Sequence, residues 1–513
     1  MADLDAAASH AKSIGSIMSR KQRISAGLGL GASLLCCNPL FAGPVGPDRN
    51  FGMEVKVTAQ SEDDRDLDTR SGGDAEGIAL DLRPWVYGQR GNWGAMVMLQ
   101  AVAATDIIET DPTDPNEEPG GDPANGFSRD SSRDPDKSYL ALREFWIDYA
   151  GLTPYPGEHL RIGRQRIRSL TNEGTWWDIH MESVNWTMDT SLLRAQAGVA
   201  ERFDEYRTDL DNLSAEDKDR THVFGGLDYQ WRQGHWAGFK VHHTSDDGDL
   251  PDSQMDVYED RQSKSYTGDL TWLSVHLDGD FFNPRSTLPI NYWGEFTWLT
   301  GEMDRSHFAS DGSADHYKDV DVDAWAVDLG LRWNISDRWN VGAAYARGSG
   351  GEGDDESEQF MQTGLQSNRS TFTGLQTRIH RFGEAFRGEL TNLQVGTLFT
   401  SWKPREDLET SLIYHKFWRV DDDEDLGQNG ISPIEKDGKP ALKAGEKDLG
   451  QEVDLIITRY FNQGMLPANW GGELDEQSAL IRLRSGLFFP SNAYASKGDS
   501  KMHRVFVDMI WRF

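Results

Sequence analysis

Arg504-Val505-Phe506-Val507-Asp508-Met509-Ile510-Trp511-Arg512-Phe513 is the stretch whose reading decides the fold. Successive side chains of a strand point to opposite faces. Val505, Val507, Met509, Trp511 and Phe513 therefore make one wholly apolar face ending in two aromatics. Arg504, Phe506, Asp508, Ile510 and Arg512 make the other, which carries two arginines and an aspartate. In a soluble β-sandwich, protein must cover the apolar face. A transmembrane β-barrel puts lipid there, a polar lumen opposite and an aromatic girdle at the interface. The pattern predicts the barrel.

The same alternation recurs upstream. Phe51, Met53, Val55 and Val57 oppose Glu54, Lys56 and Thr58, and Ile78, Leu80, Leu82 and Pro84 oppose Asp81 and Arg83. Continuing to the C-terminal stretch gives about 18 such segments, most near the ~9–11 residues that a tilted spanning strand needs. Connections alternate in length as well. Gly88–Asn92, Leu152–Glu158, Arg232–His235, Asn334–Arg338 and Lys403–Asp407 are short and rich in turn formers. Asp106–Lys137, Thr244–Lys264, Gly301–Asp321, Gly348–Gly388 and Val420–Gln451 are long, which a soluble domain does not tolerate five times over. The expected fold is all-β: a transmembrane antiparallel β-barrel of about 18 strands, with short periplasmic turns and long extracellular loops, in the outer membrane of a Gram-negative cell. One connection breaks the rule, because Asn462–Gln477 is long where a short periplasmic turn is due.

Composition fits once a barrel is assumed. Only 37% of residues are hydrophobic, and no apolar run of about 20 residues follows the N-terminal region, so helical spans are excluded. In a barrel only every second strand residue meets lipid. Residues 1–42 read as a signal peptide, with Met18 as an alternative true start. Arg20-Lys21-Gln22-Arg23 is basic, Ile24 to Cys37 is apolar, and Leu40-Phe41-Ala42 precedes a cleavage point. Both cysteines, Cys36 and Cys37, leave with it, so the barrel, residues 43–513, has no disulfide chemistry. Removing a segment with four Lys/Arg and two Asp/Glu takes the formal charge from −32 to −34. That acidity excludes a nucleic-acid partner.

Nothing here points to an enzyme. The 13 histidines are scattered, and no P-loop, dinucleotide fingerprint or CxxC occurs. No cofactor is expected, although the acidic runs Asp421-Asp422-Asp423-Glu424-Asp425 and Asp354-Asp355-Glu356 leave loop-bound Ca2+ open. The cations say more. Lys56, Arg83, Arg482 and Arg484 lie at lumen parity, and rings of Arg or Lys are how pores select anions. Arg143 is in phase with Phe145 and Ile147, and Arg166 with Leu160 and Ile162. These two point inward only through a bulge or a strand end.

Longer blocks carry a resemblance. Asn50-Phe51-Gly52, Asp81-Leu82-Arg83-Pro84-Trp85, Arg143-Glu144-Phe145-Trp146, Gly163-Arg164-Gln165-Arg166, Glu205-Tyr206-Arg207-Thr208-Asp209 and His380-Arg381-Phe382-Gly383-Glu384-Ala385-Phe386-Arg387 resemble the alginate export porins of Gram-negative bacteria. So do Tyr414-His415-Lys416-Phe417-Trp418 and Ile510-Trp511-Arg512-Phe513, and the terminal Phe513 resembles the assembly signal of outer-membrane proteins. The resemblance implies an eighteen-stranded monomeric barrel that passes the polyuronate alginate through an electropositive, gated constriction, fed by periplasmic polysaccharide-delivery proteins. It places pore cations at Lys56, Arg83, Arg143, Arg166, Arg378, Arg387, Arg482 and Arg484, and selectivity carboxylates at Glu144, Asp178, Glu205 and Asp209. Arg378 and Arg387 fall in a long external connection, which must then fold into the lumen. It also implies a cap formed by an external loop and by a long periplasmic turn, at Asn462–Gln477.

An acidic protein exporting an acidic polymer needs an explanation. At physiological ionic strength, charges beyond about 8 Å are largely screened. Only the lumen wall then acts on a threading chain, and guanidinium groups in a confined constriction make a local anion site. The main alternative is a general anion- or sugar-selective porin. An energy-coupled siderophore transporter needs a plug domain before the first strand, where only Gly43–Asn50 is available.

Overall fold

A computed structural model describes residues 50–63, 67, 74–106, 108–109, 136–155, 157–169, 175–203, 206–209, 219–248, 266–281, 290–308, 314–351, 353, 355–422, 426, 431, 442–461, 479–494 and 501–513, and shows the side chains of these except in part of three strands. The signal region, the acidic residues 423–425 and the turn Asn462–Gln477 lie outside them.

The described elements are all β. In chain order they are β1 (Phe51–Glu62), β2 (Ala75–Arg90), β3 (Trp93–Ala104), β4 (Ser138–Tyr149), β5 (Glu158–Arg168), β6 (Asp178–Asp189), β7 (Leu193–Glu201), β8 (Arg220–Arg232) and β9 (His235–Asp246). Then follow β10 (Tyr266–Asp280), β11 (Ile290–Phe308), β12 (Ala314–Ser336), β13 (Trp339–Gly348), β14 (Glu356–Ser357), β15 (Arg369–Ser370) and β16 (Ile379–His380). The last five are β17 (Leu393–Arg405), β18 (Leu408–Arg419), β19 (Asp448–Phe461), β20 (Ala479–Pro490) and β21 (Met502–Arg512). Setting aside the two-residue strands β14, β15 and β16, 18 strands form one antiparallel barrel. The barrel is sealed where β1 pairs with β21, from Glu54↔Arg512 to Glu62↔Arg504.

Parity in the opening stretch holds. Arg504, Phe506, Asp508 and Ile510 are buried against the lumen side, while Val505, Val507 and Met509 alternate with them on the other face. Elsewhere the outer face exposes Val275, Leu331 and Leu398. The exposed tryptophans Trp93, Trp231, Trp333, Trp339 and Trp402 each stand beside a short turn. A ring of amphipathic indoles at one end is what a membrane–water interface favours.

Two strands correct the sequence reading. The expected loop Gly301–Asp321 is largely ladder, because β11 runs on to Phe308 and β12 begins at Ala314. Backbone pairing outlasts the apolar face there, since a ladder beyond the lipid has no need of one. The pairing of β4 with β5 is short, spanning Phe145↔Arg164 to Tyr149↔Leu160. Beyond it, β4 bonds instead to the β7–β8 connection: Leu142 N–H donates to Tyr206 O at 2.8 Å, and Thr208 N–H donates to Leu140 O at 2.9 Å.

The β13–β17 connection folds into the barrel. Phe382, Ala385 and Phe386 are fully buried, and Phe386 stacks on Phe417 of the wall with ring centroids 4.2 Å apart. Its backbone is fastened by carboxylates of β19. Ala385 and Phe386 N–H donate to Glu452 at 2.6 and 2.8 Å, and Glu384 N–H donates to Asp454 at 3.3 Å. Apolar packing and backbone hydrogen bonds together hold this nominal loop inside the barrel.

Candidate functional site

Inside the barrel, the cations expected from the sequence do not stand as a free ring. Lys56, Arg83, Arg166, Arg378, Arg387, Arg482 and Arg484 each meet a carboxylate. Asp508 on β21 is one centre. Lys56 Nζ lies 3.6 Å from it, Arg482 Nη2 donates at 2.8 Å, Arg484 Nε lies at 3.4 Å and Thr58 Oγ1 donates at 3.0 Å. Asp178 is the second centre. Arg166 Nε donates to its Oδ1 at 2.7 Å, and its Oδ2 accepts Arg378 Nη1 at 2.5 Å and Ser367 Oγ at 2.6 Å. The expectation that the external connection carrying Arg378 and Arg387 enters the lumen is met by these bonds.

The third centre is Glu109, which enters from the β3–β4 connection. Its carboxylate meets Arg504 at 2.7 Å, Arg369 and Arg387 at 3.1 Å each, and Arg484 at 3.8 Å. Glu384 adds a second carboxylate, 3.4 Å from Arg484. Burial raises the Glu109 carboxyl, but Arg387, Arg504, Arg369 and Arg484 together hold it well below the usual carboxylate range. Arg369 is pushed down to about 10 by burial and by Arg484, against the pull of Glu384 and Glu109.

Of the two out-of-phase arginines, Arg143 finds the bulge it needs. The β3–β4 register shifts where Met98↔Glu144 gives way to Leu99↔Leu142, leaving Arg143 as the extra residue of a bulge. Tyr139, Ala141 and Arg143 are buried on one side of it, Trp146 and Asp148 on the other, so Arg143 and Glu144 are both swung inward. Arg143 donates to Gln100 at 3.4 Å, and Glu144 accepts Trp146 Nε1 at 2.8 Å with His180 Nε2 at 3.4 Å. Arg166 lies beyond the last β4–β5 pair but stays in register with His180 of β6, with no bulge.

Other expected residues are placed apart. Arg83 pairs with Asp81 at 2.5 Å and Glu54 at 3.3 Å. Asp209 accepts Arg207 at 2.7 Å, and Arg207 stacks over Tyr139 at 3.7 Å in the β4 seam, outside the three centres. Glu205 lies outside the described residues. Sequence reasoning missed Glu109, Glu384, Arg369 and Arg504. Lumen parity on β21 signalled Arg504, whereas nothing local marks a carboxylate inside a long connection. Among the described residues no cluster of three His, Cys, Asp or Glu is arranged to hold a metal.

The family described as alginate export matches residues 48–508. The chain belongs to the alginate export family. It is 96% identical over 496 residues to the alginate production protein AlgE of Azotobacter vinelandii, covering 97% of this chain and all of that protein. It is 54% identical over 490 residues to the protein of the same name in Pseudomonas aeruginosa, covering 95% and 96%. Among solved structures, OccAB2 of Acinetobacter baumannii superposes with a TM-score of 0.52 at 12% identity, over 90% of this chain and 98% of that one. That likeness concerns the fold, which is that of an outer-membrane porin. A family of export proteins performs transport and not catalysis.

Proposed function

We propose that this chain exports alginate across the outer membrane through an electropositive constriction gated from within. The observation that carries this reading is the pairing of Arg166 and Arg378 on Asp178, because it joins the wall to the inward connection through two guanidinium groups on one carboxylate. A uronate carboxylate has the geometry of an Asp or Glu carboxylate. It can take the place of Asp178 or Asp508 on a guanidinium with little change in the number of charge-assisted bonds. Exchange of partners keeps each site shallow, as a conducting pore requires. The net charge of the chain, −32, resides mostly on loops, and screening keeps it from the threading polymer. Alginate delivered by periplasmic proteins to a monomeric barrel, with acidic loops open to Ca2+, completes the proposal.

A general anion-selective porin shares the barrel and some luminal arginine. It has no need of a folded-in connection that supplies Arg369, Arg378 and Arg387, three of the eight cations at the carboxylate centres. Arg166, Arg378 and Arg482 keep the most exposed side chains among the paired arginines of the two aspartate centres. Replacing all three by Ala should abolish block by short oligouronates in bilayer recordings and move the reversal potential toward cations, in a barrel that still assembles. Unchanged reversal potential and block would overturn the proposal.

A further inference from the structure

The arginine centres leave one feature of the lumen unused. At the short-turn end, a cavity of about 340 Å³ opens between the β9–β12 wall and the inward residues Thr371 and Phe372. This is within the range of small-ligand sites. It is lined by Trp236, His276, Asp278, Asn291, Trp293 and Arg332, among others. Its chemistry differs from that of the arginine wall.

Two polar groups here are unmatched. Asp278 follows Trp272, Ser274 and His276 on the inward face of β10, and its carboxylate has no hydrogen-bond or ion-pair partner among the described residues. His276 is buried, with Nε2 2.8 Å from Asp228 Oδ1, while its Nδ1 has no hydrogen bond. Around them the groups are held rigidly. Trp293 stands opposite Gly330 in the β11–β12 register, and its indole occupies the space that a Cβ at Gly330 would need. Arg332 donates to Asn291 Oδ1 at 3.2 Å and to Phe372 O at 3.2 Å, which fixes both across the cavity.

A flat indole beside an unpaired carboxylate and a fixed amide is an arrangement suited to a sugar ring. The apolar C–H face of a pyranose packs on an aromatic, and its vicinal hydroxyls donate to a carboxylate. We propose that this cavity is a pyranose subsite: Asp278 accepts hydroxyls of a uronate residue while Trp293 supports its ring face. The subsite rests on the reading of the lumen as a uronate conduit and adds to it. The arginine centres read the acid group, and this wall reads the rest of the sugar. The division gives the pore a means to prefer a polyuronate over a polyanion of equal charge.

The test turns on a sign. If Asp278 were only a luminal negative charge, removing it would tighten binding of every polyanion. If it accepts sugar hydroxyls, removing it weakens binding of the polyanion that has them. Channel block should be measured from the short-turn side with a short oligouronate and with a short polyglutamate, for the wild type, Asp278→Asn and Asp278→Ala. The expected result is about tenfold weaker oligouronate block in Asp278→Ala, the scale of a lost charge-assisted hydrogen bond. Asp278→Asn should fall between, and polyglutamate block should be equal or tighter in both variants. Oligouronate block that is unchanged or tighter in Asp278→Ala overturns the subsite. A wild-type channel that oligouronate does not block at all overturns the conduit reading itself.

Discussion

Asp178 Oδ2 accepts Arg378 Nη1 at 2.5 Å, joining two residues 200 apart in the chain, while its Oδ1 accepts Arg166 Nε at 2.7 Å. One carboxylate on β6 thus positions a wall arginine and an arginine of the inward connection. Asp178 is fully buried on its side chain, whereas Arg166 and Arg378 keep 34% and 19% of theirs exposed. The carboxylate is therefore the enclosed member of the trio and the guanidinium groups are the accessible ones.

Asp178→Ala should free both cations. The expected outcome is higher anion selectivity and longer oligouronate block, with a stability loss of about 1–3 kcal/mol, the usual cost of orphaning hydrogen-bonded charges. Bilayer reversal potentials and the temperature at which the heat-modifiable barrel unfolds measure the two effects. Selectivity that falls or stays level would show that Asp178 does not restrain the arginines.

Phe513 closes the barrel by its backbone. Its N–H donates to Met53 O at 2.9 Å and Met53 N–H donates to its O at 3.2 Å, at the β1–β21 seam. Deleting Phe513 removes this pair of bonds together with one aromatic of the interface. The amount of folded barrel in the outer membrane should drop, while the conductance of each assembled pore stays at the wild-type value. Equal amounts of folded barrel would refute the prediction.

Much of this was legible in the sequence because period-two alternation is local. The approximate strand number and the lumen parity of Lys56, Arg83 and Arg484 follow from counting residues strand by strand. Even the misfit of Arg143 was legible, since a cation in phase with Phe145 and Ile147 demands a bulge, and the register breaks there. What could not be read depends on long-range return of the chain. Glu109 meets Arg504 across 395 residues, and no pattern near Glu109 announces it. The run of ladder through Gly301–Asp321 was also hidden, because strands outside lipid lose the alternation used to find them.

Glu109 and Glu384 should stay ionised as the pH falls through the ordinary glutamate range. Burial raises Glu109 and Glu384, yet the arginines around them win and hold both below their ordinary value. A depressed carboxyl contributes stability that is complete above its unfolded pKa and fades only as pH falls through the folded one. Burial and the nearby Arg387 and Arg369 also hold His380 well below its ordinary value, so it stays neutral over the same span. Reversal potential should then stay flat from about pH 7 to about pH 5 and change only below the normal glutamate range. A transition near pH 6 would mean that another group controls the constriction.

Glu452 supplies the last test, because it holds the inward connection by backbone rather than by side chain. Its two oxygens accept the N–H groups of Ala385 and Phe386 at 2.6 and 2.8 Å, in a fully buried site. Asp454 accepts the preceding N–H, that of Glu384. Three successive amides pointing at two carboxylates fix the path of the chain between Arg381 and Arg387, and with it the position of Arg387 beside Glu109. Glu452→Ala leaves two buried amides without an acceptor, each costing about 1–3 kcal/mol. The stacking of Phe386 on Phe417 cannot replace that bonding, since it constrains the ring and not the backbone. The connection should therefore detach over this stretch, raising single-channel conductance and shortening oligouronate block, with protease cleavage appearing between residues 378 and 392. Glu452→Gln keeps one acceptor oxygen and should fall between the two. If Glu452→Ala conducts and resists protease as the wild type does, the apolar contacts alone hold the constriction.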